Sequence, residues 1–269
     1  MDNRSIGVFD SGLGGLTAVK QIMRELPDEN IIYFGDTGRV PYGTRSKDTI
    51  IKYSKNDVNF LLSKDVKIIV IACGTVSSVA LQVLKESYDI PIIGVVEATV
   101  EAATAHTKNG SIGIIGTPGT IKSGSYERLI KEKNPKFKTY SKACPLYVPL
   151  VENGHFETKV AELITEEYLT EIRDMGVDTL ILGCTHYPLL KKTIAKFMGE
   201  GVSLIDAGAE VAKAIKKHLD KNELHSGKRD AEQYRYFVSD NVDGFENLGG
   251  IFLEKKIDGQ VEKIDIEKF

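Results

Sequence analysis

The sequence contains no tryptophan and only three cysteines in 269 residues. Three widely spaced cysteines cannot form the disulfide framework that holds small secreted proteins together, so we expect free thiols and a cytoplasmic protein. The first residues lack a signal-peptide pattern, and no apolar run approaches the length of a membrane span. These absences argue against secreted, disulfide-stabilised proteins and against a membrane partner.

A surplus of positive charge is also missing. The chain has 35 Lys and Arg residues against 38 Asp and Glu residues, with a formal net charge of -3. Because binding to phosphate backbones requires a basic surface, we expect no nucleic-acid partner. The chain does have 42% hydrophobic residues, and at this length they can fill one large core or two smaller ones.

Short apolar runs rich in β-branched residues alternate with amphipathic helical stretches along the chain. Near-continuous apolar runs are typical of strands that are covered on both faces of a parallel sheet. Ser46 is a predicted N-cap, and apolar positions at helical spacing follow it from Ile50 to Leu62. The pattern predicts a doubly wound α/β fold. The predicted strands are residues 6–9, 31–34, 68–72, 92–96, 112–115, 179–182, 202–205 and 234–238.

The sequence contains an internal repeat. Residues 6–12, IGVFDSG, resemble residues 112–118, IGIIGTP, and residues 69–75, IVIACGT, resemble residues 180–186, LILGCTH. Two matches in the same order and at nearly the same offset indicate two related halves. We therefore predict two pseudo-symmetric, doubly wound domains with mostly parallel sheets and an active-site cleft between them. The predicted domains are residues 1–96 plus 208–269, and residues 97–207.

Cys73 and Cys184 occupy equivalent positions in this repeat, each after a predicted strand and before a helix. Ligands of parallel sheets bind at the carboxyl ends of strands, where backbone N–H groups also favour a thiolate. A single buried cysteine is more often part of a core, and Cys144, which has no counterpart in the repeat, is expected to be structural. A matched pair instead suggests acid/base groups on opposite sides of one ligand, as racemisation at an α-carbon requires.

A glycine-containing loop, DSGLGG at residues 10–15, follows the first strand. It lacks the order of a dinucleotide fingerprint and of a P-loop, so a nucleotide site is not indicated. Asp10 and Ser11 could project into the cleft, where a carboxylate could hold an ammonium group or orient a thiol. A helix cap is the alternative use of these residues.

A metal site is an alternative use of the thiols. Cys73, Cys184 and His186 could supply three ligands, although no CxxC or HxxxH spacing accompanies them. A redox role is less favoured, because the thiols lie far apart in the sequence and no resolving partner is evident.

Together these motifs resemble those of the glutamate racemases, within the aspartate/glutamate racemase superfamily, over essentially the whole chain. The resemblance implies interconversion of L- and D-glutamate without pyridoxal phosphate, flavin or metal, supplying D-glutamate for peptidoglycan. It also implies a homodimer. The motifs that carry it are GVFDSGLGG at 7–15, PYGTRS at 41–46, ACGT at 72–75, CPL at 144–146, LVENG at 150–154, GCTHYP at 183–188 and LID at 204–206.

The resemblance also implies residue roles. Cys73 would exchange the proton of D-glutamate, assisted by Asp10, and Cys184 that of L-glutamate, assisted by His186 and Glu152. The implied substrate-binding residues are Asp10, Ser11, Pro41, Tyr42, Gly43, Gly74, Thr75, Thr117, Thr185 and His186.

One position departs from the family pattern. Many members carry Asn after the first cysteine, where this chain has Gly74, so the side-chain amide expected to contact substrate is missing. The backbone N–H of Gly74 remains available. The resemblance also implies glutamate over aspartate, because aspartate racemases commonly have an acidic residue where this chain has His186 after Cys184-Thr185. Aspartate and other small dicarboxylates stay open as substrates. A two-domain amino-acid sensor is a further alternative, and only an enzyme would exchange the α-proton with solvent.

Overall fold

The apolar runs become buried strands in the computed structural model, which describes residues 1–227, 233–257 and 259–269. All eight predicted strands are present, with small shifts at their ends, and two further strands were not predicted. The strands are β1 Ile6–Asp10, β2 Ile31–Gly35, β3 Ile68–Ile71, β4 Ile92–Gly94, β5 Ser111–Gly116, β6 Lys138–Ala143, β7 Thr179–Leu182, β8 Ser203–Asp206, β9 Tyr234–Val238 and β10 Val261–Lys263.

These strands form two sheets. One has the order β10-β9-β2-β1-β3-β4 and the other β6-β5-β7-β8. Every strand pair in the described part of the chain is parallel. The order β2-β1-β3-β4 in the first sheet is repeated by β6-β5-β7-β8 in the second. This repetition confirms the predicted α/β fold with two related halves.

Helices cover both sheets. Among the described residues, three short 3-10 helices supplement the α-helices: Tyr42–Thr44, Tyr187–Leu190 and Ile266–Lys268. The α-helices are α1 Leu16–Glu25, α2 Lys47–Ser63, α3 Gly74–Val79, α4 Leu81–Ser87, α5 Val95–His106, α6 Pro118–Ser123, α7 Ser125–Lys133, α8 Tyr147–Glu152, α9 Lys159–Asp174, α10 Lys191–Met198, α11 Ala207–Asn222 and α12 Val242–Leu253.

Local signals account for several helix boundaries. Ser46 caps α2 as predicted, since its Oγ accepts a hydrogen bond from the Thr49 N–H at 3.3 Å. The helical pattern after Cys73 is interrupted at Ala80, where α3 ends and α4 begins. Strand β4 ends at Gly94, so Val95 and Val96 belong to α5 and not to the strand predicted for residues 92–96.

The C-terminal segment completes the first sheet. Strand β9 pairs with β2, and β10 pairs with β9. Helix α11, which precedes β9, packs on α1 and α5 and also contacts β4 of the first sheet and β8 of the second. Within the described ranges, none of the helices has both the length and the apolar character needed to cross a membrane.

Candidate active site

A cavity of about 290 Å³ lies where the carboxyl ends of strands from both sheets converge. This is the position at which parallel sheets bind ligands. Its wall contains nearly all the residues that the sequence singled out. They are Ser11, Pro41, Tyr42, Gly43, Cys73, Gly74, Thr75, Thr117, Glu152, Cys184, Thr185 and His186.

Cys73 follows strand β3 and Ala72, and it is the residue that precedes α3. Its side chain is almost wholly buried, and its Sγ lies 3.5 Å from the Ser11 Oγ. Burial, with a smaller contribution from the neighbouring Asp10 carboxylate, raises the pKa of the Cys73 thiol to about 11. Backbone N–H groups of Val76 and Ser11 oppose this rise. The thiol is therefore protonated at neutral pH when no ligand is bound.

Cys184 holds the corresponding position after β7 in the second sheet. Its Sγ lies 3.9 Å from Nδ1 of His186, whose Nε2 lies 2.9 Å from a Glu152 carboxylate oxygen. Because a carboxylate accepts hydrogen bonds, Nε2 carries a proton, and in the neutral imidazole Nδ1 then presents a lone pair to the thiol. Burial raises the pKa of the Cys184 thiol, with a smaller opposing effect of the His186 backbone N–H.

Asp10 ends β1 and lies behind the part of the cavity wall formed by Ser11 and Gly12. Its Oδ2 accepts a hydrogen bond from the Gly12 N–H at 3.2 Å. Its Oδ1 is buried and has no hydrogen-bond partner among the described residues. Burial raises the pKa of the Asp10 carboxyl, and the nearby His186 opposes the rise. A buried carboxylate oxygen without a partner is costly, so it is a candidate to receive a proton or a ligand N–H.

Hydroxyl groups form another part of the site. The Oγ1 atoms of Thr75 and Thr117 lie 2.8 Å apart, and each lies within 3.3 Å of the Thr120 Oγ1. Thr117 also caps α6 by accepting from the Thr120 N–H. Sequence reasoning missed Thr120, although its position three residues after Thr117, a hydroxyl residue directly after a predicted strand and its glycine, was a usable signal of an N-cap.

The two sheets meet closely around the cavity. The Thr17 Oγ1 donates a hydrogen bond to the Thr185 carbonyl at 2.8 Å. A Cβ atom on Gly74 would collide with the carbonyl oxygen of Gly183, which directly precedes Cys184. Gly74 therefore allows the segments after β3 and β7 to approach more closely than any other residue would.

Comparison with known proteins identifies the family. A family model for Asp/Glu/hydantoin racemases matches residues 9–215. The chain belongs to this family. The glutamate racemase of Geobacter metallireducens is 46% identical over 98% of this chain and 97% of its own. The glutamate racemase of Persephonella marina is 48% identical over 98% of both chains. A crystal structure of Francisella tularensis glutamate racemase with D-glutamate has a TM-score of 0.93 and 40% identity over 100% of both chains.

Tyr42 lines the cavity of this racemase-family site, but its hydroxyl group is directed elsewhere. Its ring is buried, and its hydroxyl donates a hydrogen bond to a carboxylate oxygen of Asp36, away from the cavity. The phenol group is thus already paired within the protein. What Tyr42 can offer a substrate is its backbone, along with that of Pro41 and Gly43.

Sequence reasoning also missed an apolar part of the wall, formed by Leu13, Val40, Val148 and Pro149. Cys144 borders the cavity as well, with its Sγ 3.7 Å from the Lys142 carbonyl oxygen. Leu13 and Val40 are single apolar residues in loops, and such residues carry no local signal of a site. Val148 and Pro149 lie on α8, so their place in the wall depends on how that helix packs beside the strand ends.

The residues considered as metal ligands do not form a ligand set. Across residues 1–227, 233–257 and 259–269, no three His, Cys, Asp or Glu side chains are grouped as metal ligands would be. The alternative that Cys73, Cys184 and His186 bind one metal ion therefore has no geometric support in that part of the chain.

Proposed function

We propose that the protein is a cofactor-independent glutamate racemase that uses Cys73 and Cys184 as its two proton-transfer groups. The observation that carries the proposal is that both thiols line one cavity, at corresponding strand ends of two sheets with the same order. Full-length relatives named glutamate racemase support the choice of substrate. Production of D-glutamate for peptidoglycan is the cellular role that follows.

In this mechanism one thiolate removes the α-proton from one face, and the other thiol delivers a proton to the opposite face. By family resemblance, Cys73 acts on D-glutamate and Cys184 on L-glutamate. Because both thiols have raised pKa values, each needs a group that takes its proton before it can act as a base. Asp10 is close enough to influence Cys73, and His186, held by Glu152, presents its Nδ1 lone pair to Cys184.

The cavity chemistry suits an amino acid with two carboxylates. Its volume of about 290 Å³ is small for a ligand pocket. The hydroxyls of Ser11, Thr117 and Thr185 and the backbone N–H groups of Gly74 and Thr75 are proposed to bind carboxylates. The Oδ1 of Asp10, which has no partner among the described residues, is proposed to interact with the substrate ammonium group or with the proton of the Cys73 thiol. Donors on the α-carboxylate stabilise the negative charge that develops when the α-proton leaves.

The assembly is part of the proposal. We infer two domains, residues 1–96 plus 208–269 and residues 97–207, because each sheet draws its strands from one of these sets. The cavity then lies between domains. We also infer a homodimer by family resemblance, and a cytoplasmic location because all three cysteines are unpaired.

Exchange of the substrate α-proton with deuterated solvent is the deciding experiment. Both enantiomers of glutamate should gain deuterium at the α-carbon and interconvert, whereas aspartate assayed in parallel should react far more slowly. No exchange with either amino acid would contradict an enzymatic role and favour a binding protein. Faster reaction with aspartate would contradict the substrate assignment. Activity that survives exhaustive chelation would remove the metal alternative.

Substitution of the thiols tests the two-base assignment. Cys73→Ala and Cys184→Ala should each abolish racemisation, because each direction of the reaction uses both thiols. Cys144→Ala is the matched control and should retain racemisation. Near-normal activity in either of the first two variants would overturn the assignment.

A further inference from the structure

A buried group of charged side chains lies behind residues 41–44, a segment of the cavity wall that we call the cavity loop. The mechanism above does not use this group. Asp36 follows β2, Asp57 lies on α2, and both carboxylates are fully buried. The Arg39 guanidinium joins them, with its Nε 2.6 Å from Asp36 and an Nη 2.9 Å from Asp57. Burying charges is costly unless they are paired, so a group of this kind needs a structural or functional reason.

Tyr42 connects this group to the cavity. Its hydroxyl donates a hydrogen bond to Asp36 and also lies 3.3 Å from an Asp57 oxygen. Tyr42 begins the 3-10 helix Tyr42–Thr44, and all three of its residues line the cavity. The ring thus extends from the cavity wall into the charged group.

The charged group is itself held by the surrounding structure. The Ser239 Oγ donates to the Asp36 carboxylate at 2.8 Å, and Ser239 follows β9. The Arg39 guanidinium lies 4.2 Å from the centre of the Tyr53 ring and 3.2 Å from a Glu267 oxygen. The group is therefore fixed to α2, to β9 and to the C-terminal 3-10 helix at once.

The position of the cavity loop matters because the loop packs tightly against the segment that follows β5 in the second sheet. A Cβ atom on Gly43 would lie 2.9 Å from the Thr117 Cβ. A Cβ atom on Gly119 would lie 2.9 Å from the Gly43 carbonyl oxygen. A small displacement of the loop would change both the cavity wall and its contact with the second sheet.

We propose that Asp36, Arg39 and Asp57 are positioning residues for substrate: through the Tyr42 hydroxyl they hold the backbone of residues 41–43 where it contacts glutamate. The proposal rests on the function proposed above. This group places binding atoms and does not touch the transferred proton. Its loss should therefore weaken substrate binding more than proton transfer.

A double-mutant cycle on Tyr42→Phe and Asp36→Asn tests this inference. Each variant should raise KM for both enantiomers of glutamate by about tenfold and leave kcat within about threefold of the wild type. Tyr42→Phe removes the hydrogen bond between Tyr42 and Asp36, and Asp36→Asn weakens it by replacing a charged acceptor with a neutral amide. Because both variants act on the same hydrogen bond, the double variant should raise KM no further than the larger single effect. If Asp36→Asn does not fold, Tyr42→Phe alone still tests the effect on KM.

Glu29→Gln is the matched control. Glu29 pairs with Lys67 at 2.6 Å, and this ion pair is also buried but lies at the amino-terminal ends of β2 and β3. The variant should lower the melting temperature without changing KM. The proposal is overturned if Tyr42→Phe has the wild-type KM, if it lowers kcat alone, or if Glu29→Gln raises KM equally. A wild-type protein without racemase activity would instead contradict the proposed function.

Discussion

The ionisation of the two cavity thiols is set by their surroundings. Burial raises the pKa of both Cys73 and Cys184, and the carboxylate of Asp10 adds to the effect. A thiol with a raised pKa keeps its proton to higher pH, so neither thiol is a ready base in the free protein at neutral pH. The ammonium group of a bound amino acid would favour the thiolate, which links base formation to substrate binding.

The pH dependence of Cys73 alkylation checks this interpretation. In the ligand-free protein the rate of reaction with iodoacetamide should rise about tenfold per pH unit, because only the thiolate reacts. The rise should continue to about pH 11, above the 9.0 typical of an unperturbed thiol. Asp10→Asn should shift the profile to lower pH. Mass spectrometry of the Cys73 peptide measures the rate, and a plateau below pH 9.0 in the wild type would disagree with the structure.

Gly74 provides a second test at this scale. Gly74→Ala should lower kcat by about tenfold to a hundredfold, because the new methyl group forces the backbone next to Cys73 away from Gly183, beside Cys184. It should also destabilise the fold by about 1–3 kcal/mol through overpacking. Gly201→Ala is the control, since a Cβ there would meet nothing within 4 Å. Steady-state kinetics and urea unfolding measure both effects, and an unchanged kcat in Gly74→Ala would refute the argument.

Individual elements differ in how clearly the sequence encodes them. Strands buried on both faces, such as β1 and β3, appear as continuous apolar runs and were predicted. Strand β6 has the sequence KTYSKA, and none of its residues is fully buried. It lies at an edge of its sheet, as does β10. Edge strands commonly carry charged side chains, so their pairing is decided by neighbouring strands and not by an apolar pattern.

The N-cap of α2 gives a prediction at the scale of one element. Ser46→Ala should lower the free energy of unfolding by about 1 kcal/mol, because the Thr49 N–H loses its acceptor. Ser46→Asp should retain the wild-type stability, since Asp also accepts this hydrogen bond. Urea unfolding followed by circular dichroism measures the difference. Equal stability of the Ala and Asp variants would mean that the cap does not stabilise the helix.

At the scale of the whole molecule, the C-terminal segment belongs to the same sheet as the N-terminal one. Phe237 on β9 is paired with Phe34 on β2, and its ring packs edge-on against Phe60 of α2 at 5.2 Å. The same segment carries Ser239, which holds Asp36 behind the cavity loop. The sequence indicated only that this segment should pack on the first half. Its place beside β2, at one edge of the sheet, follows from strand pairing across the chain.

Truncation of Phe237 tests whether this segment shares the cooperative fold. Phe237→Ala should lower the free energy of unfolding by about 3–5 kcal/mol, because it leaves a cavity in a fully buried position. Phe237→Leu should cost less, since leucine fills most of that space. Thermal and urea unfolding should show one concerted shift of the whole sheet. A separate low-temperature transition would show that β9 and β10 unfold independently.

The sequence alone determined the alternation of strands and helices, the repeat of two halves and the equivalent places of Cys73 and Cys184. These features are local: apolar periodicity reports which faces are buried, and a repeated motif reports a repeated unit. The tertiary structure decided that the Tyr42 hydroxyl turns to Asp36, that Thr120 joins the hydroxyl cluster and that Gly74 meets Gly183. Those contacts depend on how distant segments pack together, and no periodicity within one segment encodes them.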